Sequence, residues 1–107
     1  MDPTDAAPAG LEQVWLVQAT YAPDAAETRV PFRPEHLAGM VRRISEGVYV
    51  EAGAFLDVSE SVLLVRAASE AEALAIVGDD VYLRNGVWVE LRARPFGRVV
   101  TPGVARP

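Results

Sequence analysis

Three sets of residues in this chain could move a proton or hold a charged ligand. They are the single histidine, His36, the adjacent carboxylates Asp79 and Asp80, and Arg33, which precedes Pro34. An imidazole has an unperturbed pKa of about 6.5, so it can take or give a proton near neutrality. A carboxylate bonded to one ring nitrogen would fix the tautomer. Acid–base help of this kind contributes roughly 10² to 10⁴ in rate. That suffices for enolisation, dehydration or elimination of HX from an activated ring, but not for unaided amide hydrolysis. Arg33 could orient an anion or carboxylate. Each set also has a plainer reading. His36 can be a hydrogen-bonded residue at a helix edge. Asp79 and Asp80 can end one helix and open a turn, and Arg33 can be a surface cation. Trp15, Tyr21, Tyr49 and Trp88 read as core or dimer-face aromatics, and Arg42-Arg43 as a solvated helix face.

The elements that must position these groups follow from periodicity. Pro34 marks a first helical turn, and Leu37, Met40, Val41 and Ile44 recur at the spacing of one helical face. The helix runs over about 32–46, with His36 on the rim of the apolar stripe. Gly47 stops it. A strand over about 48–56 follows, then a turn at Asp57–Glu60 and a third strand over 61–67. Strand one is about 12–20, with Val14-Trp15-Leu16-Val17 at its centre, and 21–31 is a loop. Ser69-Glu70-Ala71-Glu72 matches a capping box and opens a second helix, to about Val77. The segment 79–86 is a polar connection. Val87 to Ala93 alternates as a fourth strand, with Val87, Val89, Leu91 and Ala93 on one side. Residues 95–107 read as coil.

Composition limits the function classes. The 107 residues allow one domain over 12–100, with a flexible tail over 1–11 and a coil over 101–107. The net charge of −5 argues against a general nucleic-acid binder. No cysteine and one histidine leave no disulfide framework and no expected metal site. All ten basic residues are arginine, which removes lysine Schiff-base chemistry. No apolar run is long enough to span a membrane, and the first ten residues lack the pattern of a signal peptide. The expectation is a cytoplasmic protein without a cofactor.

The order β-α-β-β-α-β is the α+β, ferredoxin-like arrangement: an antiparallel sheet with two helices on one face. Strands one and three are apolar in both phases, where a sheet with one wet face should alternate. A homodimer, with two sheets packed face to face, is therefore expected.

Tyr21-Ala22-Pro23-Asp24, Arg33-Pro34-Glu35-His36-Leu37, Gly47 and Ala52-Gly53 resemble the first half of the YciI-like (YCII-related) domain. Ser61, Ser69–Ala73, Asp80-Val81-Tyr82, Gly86-Val87 and Arg94-Pro95-Phe96 resemble the second. Val81 and Ala54 stand where that family commonly has proline, and the link between strands two and three is shorter than in many members. The resemblance implies a ferredoxin-like fold paired into a dimeric α+β barrel. It also implies a catalytic pair, His36 and Asp80, with Arg33, Ser61 and Tyr82 as the substrate-binding groups. Some members resemble dehydrochlorinases of hydroxylated, chlorinated rings, and the wider barrel group includes muconolactone isomerases. The functional expectation is a lyase or isomerase acting on a small cyclic or aromatic metabolite. The alternative is a non-catalytic dimeric module that binds a small molecule.

Overall fold

A computed structural model of the chain describes residues 10–100. The tail expected over 1–11 falls mostly outside these residues, and the coil expected over 101–107 entirely so. The order of elements is β1 (Leu11–Tyr21), α1 (Ala25–Thr28), a 3-10 turn (Val30–Phe32), α2 (Arg33–Ser45), β2 (Tyr49–Ala54), β3 (Glu60–Val65), α3 (Glu70–Gly78), α4 (Val81–Arg84) and β4 (Trp88–Val99). The strands form one antiparallel sheet in the order β2-β3-β1-β4. The longer helices flank it, α2 against β2 and α3 against β4 and β1. Among the described residues no helix is long and apolar enough to cross a membrane.

The expected dimeric α+β barrel is not what the structure shows. The sheet is open: β2 pairs only with β3, and β4 only with β1. Four strands in this order leave two edges, and among the described residues no pairing joins them. The argument from two-sided apolarity also weakens at the helix-free face. Register puts Leu16 opposite both Leu64 and Arg94, and Gln18 opposite both Val62 and Arg92. Ion pairs cross this face from Arg92 to Glu60 at 2.7 Å, and from Arg66 and Arg98 to Glu12 at 2.7 Å each.

Local chemistry explains most boundaries. Proline near the start of α2 supplies a preset φ, and Glu35 in the first turn and Arg42 and Arg43 in the last complement the helix dipole. The helix ends in a Schellman motif. Gly47 takes φ +78°, its N–H donates to Ile44 and the Val48 N–H donates to Arg43. Ser69 caps α3 by accepting the Glu72 N–H at 3.1 Å, while the Glu72 carboxylate reaches the Ala68 N–H. The segment 21–31 is not a plain loop, since it contains α1 and the 3-10 turn.

Two strand readings change for reasons of register. A bulge between Thr20 and Tyr21 lets Trp88 and Leu91 share the inner face although they are three residues apart. Val89, expected beside Leu91, is thereby turned out and exposed. Likewise β4 does not end at Ala93 but runs through Pro95 to Val99. Proline has no N–H to give the ladder, but β4 is an edge strand and tolerates it.

Candidate active site

Of the helix stripe, only Met40 joins the packed core. Leu37, Val41 and Ile44 are all exposed, while Met40 and His36 are buried. Leu37, Met40 and Ile44 instead line a cavity of about 330 Å³ between α2, the sheet and the β2–β3 hairpin. The helix is thus rotated from its expected setting. His36, expected half-wet on a rim, is 7 % exposed and lies against Tyr82 and Trp88. The rotation lets its ring bury against aromatic groups while its polar edge meets a carboxylate.

That carboxylate is Asp80. His36 Nδ1 lies 2.9 Å from both Oδ1 and Oδ2 of Asp80. Asp80 is fixed by its place in the fold: it is the N-cap of α4, and its Oδ1 accepts the Tyr82 N–H at 2.8 Å. The His36 ring stacks on the Tyr82 ring with centroids 3.7 Å apart and planes within 5°. Trp88 meets it edge to face at 5.3 Å. With Nδ1–H donating to Asp80, the neutral ring has its lone pair on Nε2, which has no hydrogen-bond partner among the described residues. His36 and Tyr82 line the cavity, whereas Asp80 stands behind the ring and lines a smaller hollow on its far side.

The adjacent aspartates have different fates. The Asp80 side chain is 9 % exposed, and that of Asp79 is 71 % exposed and pairs with Arg43 at 3.3 Å. Arg43, read as a solvated cation, also lies over the Tyr49 ring, 5.8 Å from its centroid. Burial pushes the Tyr49 hydroxyl up to about 12, against the pull of Arg43. Burial, and then the Tyr21 phenol, also raise the pKa of Tyr82, while Arg29 and Arg33 act in the opposite direction. Tyr82 is therefore a neutral phenol.

Arg33 and Ser61 also line the cavity. Arg33 is exposed, whereas Ser61 is buried and its Oγ donates to the Tyr21 hydroxyl at 3.1 Å. That bond leaves the Tyr21 O–H free to donate.

The matching domain model now settles the lineage, covering residues 14–97 under the description YCII-related domain. The chain belongs to the YCII-related family. No curated protein sequence matches it. A similar solved structure is 5-chloro-2-hydroxyhydroquinone dehydrochlorinase from Burkholderia phenoliruptrix AC1100, in complex with 2,5-dihydroxybenzoquinone. It has a TM-score of 0.65 and 19 % identity, with 76 % of this chain and 90 % of that chain covered. At that identity the likeness shows the fold that this YCII-related chain shares with it.

Several cavity residues escaped the sequence reading of this YCII-related domain. Tyr21 passed for a core aromatic, and it is buried in the core, yet it also lines the cavity. Arg29 was hidden in a segment read as loop; its signal was the four-residue spacing to Arg33. Phe55, Leu56 and Val58 of the short β2–β3 hairpin form the opposite wall. Val58 holds φ +59°, a strained conformation for a β-branched residue, with its side chain packed on the core.

Proposed function

We propose that this protein catalyses acid–base chemistry on a small cyclic or aromatic metabolite, with His36 as the proton-transfer group and Asp80 as its positioning carboxylate. One observation carries the reading. A buried histidine has Nδ1 2.9 Å from both oxygens of an aspartate, and its other nitrogen has no partner among the described residues, beside a ligand-sized cavity.

In this reading Nε2 takes a proton from an acidic C–H of the bound ring. The electron pair left behind forms a C=C bond, and a leaving group departs from the neighbouring carbon. The same Nε2–H then protonates that leaving group, or another carbon in an isomerisation. Asp80 accepts the Nδ1–H throughout and offsets the charge that appears on the ring when Nε2 is protonated. Tyr82 and Trp88 hold the imidazole in plane, so no orientation is lost during transfer. Ser61, Tyr82 and Arg33 contact the substrate. None of these steps calls on a metal or cofactor. The named substrate class of the similar dehydrochlorinase, a chlorinated hydroxyhydroquinone, supports choosing hydroxylated and halogenated rings first.

The test is a set of such rings and related lactones, followed by NMR for product and for solvent deuterium uptake at carbon. His36→Asn should abolish turnover by at least about 10², the lower end of general acid–base contributions. Asp80→Asn should reduce turnover less, since an amide can still hold the ring. Undiminished turnover in His36→Asn would sink the assignment. Binding of these rings without any turnover or exchange would favour a non-catalytic binding module.

A further inference from the structure

The cavity has the opposite charge to the chain that encloses it. The protein carries a net charge of −5 with 15 acidic side chains, yet among the described residues the cavity lining contains no carboxylate and two arginines, Arg29 and Arg33. Neither guanidinium has a hydrogen-bond or ion-pair partner among the described residues, whereas Arg43, Arg66, Arg84, Arg92 and Arg98 each hold a carboxylate. Arg42 and Arg94 also have no ion-pair partner among the described residues, but both are exposed away from this cavity.

The backbone that carries the two arginines is well defined. Arg29 closes α1, and its carbonyl accepts the Phe32 N–H at 2.9 Å. The intervening 3-10 turn contains Pro31, and Pro34 follows Arg33 at the start of α2. Little backbone entropy remains to be lost when a ligand binds there. Both arginines line the same cavity as Tyr82, whose ring stacks on His36. The remaining walls are mostly apolar, from Leu37, Met40, Ile44, Phe55 and Leu56. The volume of about 330 Å³ suits a single substituted ring.

We propose that the cavity selects an anion, a small ring bearing a carboxylate or an ionised hydroxyl, and that Arg29 together with Arg33 holds its charged oxygen. Arg29 is then a specificity-determining residue. The inference rests on the acid–base reading only in identifying the bound anion as the substrate; the anion preference is measured without turnover. The geometry divides the ligand between two ends: the anionic oxygen at the arginines, the plane against Leu37 and Phe55, and the reacting edge toward His36 Nε2.

The experiment compares isosteric pairs by calorimetry at mildly alkaline pH: benzoate against benzamide, and 4-nitrophenolate against 4-nitroaniline. One pair or both should show a preference for the anion of about tenfold or more, the ratio of roughly one charge-assisted hydrogen bond. The first pair reports on a carboxylate and the second on an ionised hydroxyl. Arg29→Gln and Arg33→Gln should each shrink the preference, and the double variant should remove it without loss of the folded circular dichroism spectrum. His36→Asn should retain it. Equal affinity within both pairs, or no binding of any of the four, overturns the proposal. So does a preference that survives the double arginine variant but is lost in His36→Asn, which would assign the anion to the imidazole and leave the base reading standing. Conversely, an arginine-dependent preference alongside turnover indifferent to His36→Asn would leave the anion site standing and remove the base.

Discussion

The two faces of the sheet hold their polar groups in opposite ways. On the helix side His36 and Asp80 are almost wholly buried and meet at 2.9 Å, and Ser61 donates to Tyr21 in the interior. On the helix-free side Glu12, Glu60, Arg66, Arg92 and Arg98 pair while partly in water. Distances alone do not separate the two sets, since the exposed contacts are as short as the buried ones. Burial does. An exposed pair exchanges water for a partner at little net gain, while a buried pair that loses one member leaves the other without water or partner. The lesson is that the helix side places function where breaking a contact is costly, and the other side ties the sheet with contacts that can be lost cheaply.

The adjacent aspartates give the largest test of that difference. Asp80→Ala removes the partner of buried His36 and the cap of α4 together. The expected loss is about 3 kcal/mol, since a buried hydrogen-bond partner and a helix cap are removed together. Asp79→Ala breaks an exposed pair with Arg43 and should stay within about 0.5 kcal/mol. Urea denaturation of the two variants measures both. Equal losses would show that burial does not decide the cost here.

A contact that is exposed yet not cheap sharpens the rule. Ser69 lies at the surface, but its Oγ accepts the Glu72 N–H, a donor with no partner inside the helix. Ser69→Ala should cost about 1 kcal/mol in the same denaturation experiment. An unchanged midpoint would mean that water replaces the cap fully.

These contrasts also explain what the sequence could and could not reveal. The capping box, the Gly47 stop and the βαββαβ order are local signals, and each corresponds to an observed element. The pairing of His36 with Asp80, 44 residues away, follows from family resemblance and topology, not from spacing. The apolar stripe of α2 was visible, but periodicity reports that a face is apolar and not what it faces. Here Leu37 and Ile44 face a cavity, so the helix is turned to bury His36. The bulges at Tyr21 and after Tyr49 depend on the partner strand, which no single segment encodes. Pro95 and Gly97 looked like coil because the tolerance of an edge strand for proline is a property of the sheet. The open sheet corrects the expected barrel for the same reason: closure depends on pairing between edges, and local patterning does not specify it.

A further small effect lies on the helix-free side and has a definite sign with pH. Glu12 accepts from Arg66 at 2.7 Å and from Arg98 at 2.7 Å. The Arg66 hydrogen bond is the chief cause that holds its carboxyl below the usual value of 4.5; partial burial opposes it and Arg98 assists. A carboxyl whose folded pKa is depressed stabilises the protein above its unfolded pKa, and that contribution is lost as pH falls through the folded value. Glu12→Gln should therefore be less stable than the parent at neutral pH, by less than about 1 kcal/mol because the group is part-exposed. Below pH 4.5 the gap should close progressively as the parent's Glu12 becomes protonated, so that the two denaturation curves converge. Added salt should also narrow the neutral gap, since partly exposed charges are screened over about 10 Å at 0.1 M. A gap independent of both pH and salt would mean that Glu12 acts by packing and hydrogen-bond shape rather than by charge, and the helix-free face would then resemble the buried one.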